Sequence, residues 1–460
     1  MDTNANNNRE SFEDQQVIFV DTHLIQKAVE GLQRAREEFQ TLLEQAEGGD
    51  ASVYYDLGVR YTEGDGTDKD PAQAARWFAL ASEDGDLRAT DLLGRCYQSG
   101  AGVEKDEARA AELFEQAAEQ DYAPAQCNLG VLTLHGVGTE ADPAAAAEWF
   151  RRAAEQSFAR AQDLLGDCYL DGKGVEADPA RAAELYRQAA DQGYAPALCD
   201  LGLCYENANG VAEDKAQAVE WYTRAAEGGY APAQTNLAYC FLTGIGMEAA
   251  PEKAIPWLEK AAEQKFPRAL NILGDCHWDG TGVEQDRGEA ARLYRQAAEQ
   301  DYPPALCNLG LCYEYGEGVA EDKTKAAEWY EKAARRGYAP AQCNLGFFYD
   351  RGVGVAEDAA KAVEWYERAA EQGYPYAQLF AERMEDGQSV VPTVLLSASR
   401  LLHHMGDVFR DKVPTTSTSG GMHIDHKRLQ KLRQKKIALG HKSDDYEKEQ
   451  IVNGMTMGGM

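Results

Sequence analysis

ARAQDLLGDCYLDGKGVEADPARAAELYRQAADQGY, residues Ala159–Tyr194, is the stretch whose reading decides the fold. Its first half places Ala161, Leu164, Leu165, Cys168 and Tyr169 at helical spacing. Gly166 inside that helix costs about 1 kcal/mol relative to alanine, so its recurrence implies a close helix–helix approach. The turn Gly172-Lys173-Gly174-Val175 follows. A second helix opens at Asp178-Pro179, a carboxylate that can accept from the first unpaired backbone N–H groups and a proline where no donor is needed. Leu185-Tyr186, Ala189-Ala190 and the exit Gly193-Tyr194 complete a helical hairpin.

The same hairpin recurs on both sides. Gly58, Gly94, Gly130, Gly166, Gly202, Ala238, Gly274, Gly310 and Gly346 are spaced by 36 residues without insertion or deletion, so nine units run from Ala51 to Tyr374. Asp caps the second helix in eight of them: Asp70, Asp106, Asp142, Asp178, Asp214, Asp286, Asp322 and Asp358. One hairpin cannot bury its own apolar face, so stacked neighbours must supply the cover. The fold class is therefore all-α, an α/α solenoid of nine 36-residue helix-turn-helix repeats with helical caps and a partly disordered C-terminal tail. Trp77, Trp149, Trp221, Trp257, Trp329 and Trp365 share one repeat phase and read as core. The sixth unit departs at Ala238, Ala250, Pro256 and Leu258, and Pro256 predicts a kink or a late helix start.

The recurring pattern A-x-x-x-LG-x-x-Y-x-x-G-x-GV-x-x-D-x-x-KA-x-x-WY-x-x-AA-x-x-GY resembles the Sel-1-like repeat, a relative of the tetratricopeptide repeat with a longer interhelical loop. The resemblance implies a right-handed superhelix whose first helices line a concave face. It also implies work as a scaffold or adaptor that holds a protein or peptide in that groove. A cysteine-rich set of relatives with disulfides between successive helices implies the alternative, a ligand-binding or hydrolytic protein. The ten cysteines of this chain all stand at position 5 or 10 of the repeat, none in a second helix and none in a CxxC pair. Such placement suits small packing residues, and no metal or cofactor is expected.

If first helices line the groove, the positions that vary between repeats are the candidates for partner contact. Positions 9, 12 and 13 supply Arg95, Asp167, Leu203, Tyr239, Asp275, Trp278, Leu311, Tyr315, Phe347 and Arg351. Apolar and aromatic side chains beside carboxylates suit an extended or helical segment bearing basic and apolar residues. The competing reading packs several of them between neighbouring first helices.

The remaining segments are read by composition. The whole chain carries 46 Lys+Arg against 77 Asp+Glu, a net of −31, which disfavours nucleic acid and anionic membrane as partners. Residues 1–16 read as a disordered N-terminus without the basic-then-apolar pattern of a signal peptide, and a cytoplasmic protein is expected. Residues 17–50 hold a capping helix with Leu24, Ile25, Ala28, Val29, Leu32, Phe39, Leu42 and Leu43 on one side. Residues 375–390 form the opposite cap, and 391–413 an amphipathic helix. Residues 414–460 are a flexible tail with a basic helix, Lys427–Lys442. That basic segment could dock on the acidic solenoid or on an acidic partner, or serve a nucleic-acid or membrane adaptor. No catalytic residue stands out: there is no GxSxG or HExxH, five of eight histidines lie beyond residue 390, and the glycine turns recur in every repeat.

Overall fold

The computed structural model describes residues 22–374 together with Ala377 and Phe380; those residues contain nineteen α-helices and no strand. The amphipathic segment 391–413 and the basic tail lie outside the described residues. Two compact units divide the chain, Met1–Glu213 and Asp214–Met460.

The first unit holds α1 (Thr22–Glu47), α2 (Tyr54–Glu63), α3 (Pro71–Glu83), α4 (Leu87–Ser99), α5 (Glu107–Ala118), α6 (Ala123–His135), α7 (Pro143–Glu155), α8 (Ala159–Asp171), α9 (Pro179–Asp191) and α10 (Ala195–Asn207). The second holds α11 (Lys215–Glu227), α12 (Ala231–Thr243), α13 (Pro251–Glu263), α14 (Pro267–Asp279), α15 (Arg287–Ala298), α16 (Pro303–Tyr315), α17 (Lys323–Arg335), α18 (Ala339–Arg351) and α19 (Ala359–Glu371). Within each unit every helix packs on the next, which makes each a solenoid of hairpins.

All eight aspartates predicted as caps accept backbone N–H groups of the helix they open. Asp178, for example, accepts from the Arg181 N–H at 3.1 Å, and Asp142 from those of Ala144 and Ala145 at 3.0 Å. Ala250 stands at the same place in the sixth hairpin and gives no side-chain bond. Pro256 nevertheless causes no late start, because α13 begins at Pro251, at the repeat position where α3, α7 and α9 begin. At its sixth helical position the proline removes only the bond to the carbonyl of residue 252, and the first turn forms without it.

Two glycines per repeat set the packing distances. A methyl on Gly58, Gly94, Gly130, Gly166, Gly274, Gly310 or Gly346 would lie 2.4–2.8 Å from the ring of Phe78, Phe114, Phe150, Tyr186, Tyr294, Tyr330 or Tyr366 respectively. Those rings are almost wholly buried, so the helical glycine is the floor on which the aromatic of the second helix rests. The sixth hairpin changes both members together, with Ala238 where the glycine stands and fully buried Leu258 where the ring stands. The second turn glycine fixes one hairpin on another. Gly174 has φ +72°, and a Cβ there would meet the Pro143 carbonyl oxygen at 1.9 Å. Gly102 meets that of Pro71, and Gly318 that of Arg287, at the same 1.9 Å.

The tryptophans sit one residue before those rings and are less enclosed than core packing requires. Only Trp365 is buried; the other five are half-buried. A cation three residues on covers the exposed face of five of the six, with Arg152 over Trp149 at 4.8 Å and Lys332 over Trp329 at 3.9 Å.

The C-terminal half of α1 supplies the expected cap. Phe39 and Ala46 are buried, and Gly66 abuts the Ala35 carbonyl as later turn glycines abut a second helix. Its earlier turns do not share in this: Val29 is 45 % and Leu32 65 % exposed. At the other end Ala377 and Phe380 are buried against the last hairpin, with the Phe380 ring 5.4 Å from Tyr366.

Candidate functional site

The variable first-helix positions divide into two groups with different physical jobs. Asp167 accepts a hydrogen bond from the Tyr186 hydroxyl at 2.7 Å, and Asp275 accepts one from Tyr294 at 2.7 Å. Glu314, three places further along its helix, does the same for Tyr330 at 2.5 Å. A phenol driven into the core needs an acceptor, since an unpaired buried hydroxyl costs about 1–3 kcal/mol. In these three repeats the acid answers the tyrosine, whereas the buried Tyr366 hydroxyl has no hydrogen-bond partner. Repeats whose buried ring is Phe78, Phe114 or Phe150 carry Val59/Thr62, Arg95/Gln98 and Val131/Leu134 at positions 9 and 12, with no acid at either. Reading the sequence by position singles out both columns and misses their dependence, although the signal is an internal covariation visible in the chain.

The second group is less committed. Arg95 and Leu203 are exposed, and Tyr239, Trp278, Leu311, Tyr315, Phe347 and Arg351 are half-buried. Arg95 borders a cleft with Gln98, Pro124, Phe158 and Arg160. Trp278 is covered by the Arg287 guanidinium at 4.2 Å, and Tyr315 lies 5.7 Å from the Lys323 ammonium. Phe347 packs on its neighbour Phe348, and Arg351 pairs with Asp350 at 3.2 Å. The ten residues are thus spread over both units.

Beneath them runs a buried polar ladder at positions 5 and 6 of the first helices. Asn128 donates to Asp91 at 2.8 Å, and Asn308 donates to Asn271 at 2.9 Å and to Asp275 at 3.1 Å. Arginines 32 residues further on donate to Asn128 and to Asn236, the position-6 residue of α12: Arg160 to Asn128 at 2.8 Å and Arg268 to Asn236 at 2.7 Å. The rung between α8 and α10 joins two acids, Asp163 and Asp200, whose side chains are hydrogen-bonded to each other. Burial, and then the charge of the neighbouring acids, holds both well above the usual carboxylate range.

All ten cysteines are thiols and nine are buried. Burial pushes the Cys127 and Cys343 thiols up to about 12, so they are poor nucleophiles. Among the described residues no cluster of three or more His, Cys, Asp or Glu is placed to hold a metal, and no helix is long and apolar enough to cross a membrane.

This architecture defines an α/α solenoid of short helical hairpins. The chain belongs to the Sel1 repeat family, whose model matches residues 51–86, 88–122, 123–158, 159–194, 195–230, 231–266, 267–302, 303–338 and 339–374. Sel1 repeats are generally a non-catalytic scaffold fold that mediates protein–protein interaction. No curated protein matches the chain. Among solved structures it is similar to a Sel1 repeat protein from Oxalobacter formigenes, with 32% identity over 68% of this chain and 93% of that one, at a TM-score of 0.48. It is also similar to a protective antigen of uropathogenic Escherichia coli strains, described as displaying this fold, with 28% identity over 84% and 99% of the two chains and a TM-score of 0.42. An immunity protein from Pseudomonas aeruginosa matches at 20% identity over 52% and 86%, at a TM-score of 0.34.

Proposed function

We propose that this protein is a cytoplasmic, non-catalytic scaffold that binds a protein or peptide segment along the faces of its first helices. The observation that carries the reading is the contrast within one repeat. Glycine, ring and cap are held nearly constant, while adjacent surface positions present Arg95, Leu203, Tyr239, Leu311 and Phe347. A rigid frame displaying unlike side chains at regular spacing suits recognition of an extended or helical segment. Asp275 is not a primary contact, because Tyr294, Asn308 and Asn271 engage both its oxygens, whereas Asp167 gives only Oδ1 to Tyr186.

The test is retention of a partner from native cytosol by the full chain and by a chain ending at Gly387. Retention of one protein by both places binding on the repeats, and Leu203→Asp or Phe347→Asp then weakens it. Loss of that partner on truncation overturns the reading and moves binding to residues 388–460.

A further inference from the structure

A cleft of about 350 Å³ opens between α4, α6 and the start of α8, all within the first unit. Two guanidiniums border it, Arg95 from α4 and Arg160 from α8, with the Gln98 and Asn128 amides beside them and Phe158 adding apolar surface. Its charge is unlike that of the chain around it. Asp91 is the one acid among the lining residues, against two arginines, so the lining sums to one positive charge in a chain of net −31. Asp91 is 5 % exposed and already accepts the Asn128 amide at 2.8 Å, which ties it to the polar ladder. Asp163, which also feels Arg160, keeps its proton at neutral pH because burial raises it, and so does not cancel that cation.

Neither guanidinium is paired with an acid inside the chain. Among the described residues the Arg95 side chain has no hydrogen bond or ion pair, and Arg160 gives one nitrogen to Asn128 at 2.8 Å. Arg88 shows what the same place looks like when it is satisfied. It stands two repeats before Arg160, at the same repeat position, and the residue two before it is Asp86. That carboxylate takes the Arg88 fork on both oxygens, at 3.1 and 2.6 Å, while the Tyr55 ring lies 4.0 Å from the guanidinium carbon. Two residues before Arg160 the chain has Phe158 instead, so no carboxylate arrives from that side.

We propose that this cleft takes a carboxylate group of the partner segment, held between Arg95 and Arg160. A carboxylate accepts in its plane from two guanidinium forks, and Gln98 supplies a further N–H donor. The bound charge brings the lining to neutrality. An acidic side chain and a chain terminus present the same group, so both are sources of this ligand chemistry. The acidic surface as a whole favours a basic segment; an acid accepted at this one place sets the register of that segment along the first helices.

The inference rests on the scaffold reading but is tested apart from it. Full-length protein carrying 15N in its arginine side chains is titrated with the capped peptide Ala-Ala-Glu-Ala-Ala and with its glutamine twin. A second pair is acetylated Ala-Ala-Ala ending in a free carboxylate or in an amide. The Nε–H resonances of Arg95 and Arg160, assigned through Arg95→Gln and Arg160→Gln, shift saturably with at least one carboxylate peptide and with neither neutral twin. The peptide that binds tells an acidic side chain from a chain terminus, and added salt weakens it. In Arg95→Gln, with its urea midpoint unchanged, the affinity read at Arg160 falls by about tenfold or more. Equal shifts from the neutral twins, shifts spread evenly over all arginines, or no shift at Arg95 and Arg160 would each overturn the carboxylate site. Unchanged affinity in Arg95→Gln would do so too. Failure of the repeats to retain any partner would instead sink the scaffold reading, whatever the cleft binds.

Discussion

Asp167 and Tyr186 show how one buried atom dictates another residue's identity. Tyr186 is 1 % exposed and its hydroxyl has the Asp167 carboxylate as acceptor at 2.7 Å. Asp167→Ala should therefore lower stability by about 1–3 kcal/mol, while the same substitution in a Tyr186→Phe background should cost little. Urea unfolding of the four chains checks this; equal costs in both backgrounds would mean the bond stabilises nothing. The Ala238–Leu258 exchange makes a second case. Leu258→Phe restores the ring of the other repeats but drives it onto the Ala238 methyl, at a place where ring carbons come within 2.4–2.8 Å of an added Cβ. A loss of about 1–3 kcal/mol is expected, recovered largely by adding Ala238→Gly. If the double variant is as weak as the single one, the two departures arose independently. Both pairs are present in the sequence as separate columns. The gap is geometric: spacing tells which residues share a helix face, but not that position 8 lies under position 28 or that position 9 reaches its hydroxyl.

At the scale of the element, the hairpin is almost wholly legible in the sequence. Regular glycines, Asp-Pro starts and paired alanines each have a local cause, and local causes need no knowledge of neighbours. Asp178, Asp142 and Asp70 act as their spacing predicts. Of the two outcomes expected at Pro256, the late start does not occur: α13 begins at Pro251, ahead of the proline, and Ile255 and Leu258 are buried on either side of it. The tryptophans lie shallower than their repeat phase implies, since the cations that cover them stand three residues away on the same helix. The one missing cap offers a direct check. Ala250 already has the extended backbone of an N-cap, with φ −148° and ψ 75°, and is followed by Pro251 as Asp70 is by Pro71. Ala250→Asp should stabilise the chain by about 0.5–2 kcal/mol, seen as a raised urea midpoint. No gain would show that α13 draws its stability from packing alone.

At the scale of the whole molecule, acidity is the dominant property, and its consequence for stability depends on which carboxyls are perturbed and in which direction. The N-cap aspartates Asp322 and Asp358 are lowered, chiefly by the backbone N–H groups of Lys325 and Lys361, so what they contribute is present above the usual carboxylate range and is lost as pH falls through their folded values. Asp163 and Asp200 run the other way. Burial raises both, so the folded chain holds a proton that the unfolded chain has released, and stability falls as pH rises from about 4 through the folded range of the pair. Ionisation of the other acids of a chain with net charge −31 adds self-repulsion over the lower part of the same interval, but salt screens that term and barely reaches a buried pair. Thermal melts across pH at low and high salt separate the two. Salt should raise Tm in both the native chain and Asp200→Asn, whereas the decline on the alkaline side should persist at high salt in the native chain and flatten in the variant. An alkaline decline of the same steepness in Asp200→Asn would show that the pair holds no extra proton in the folded state.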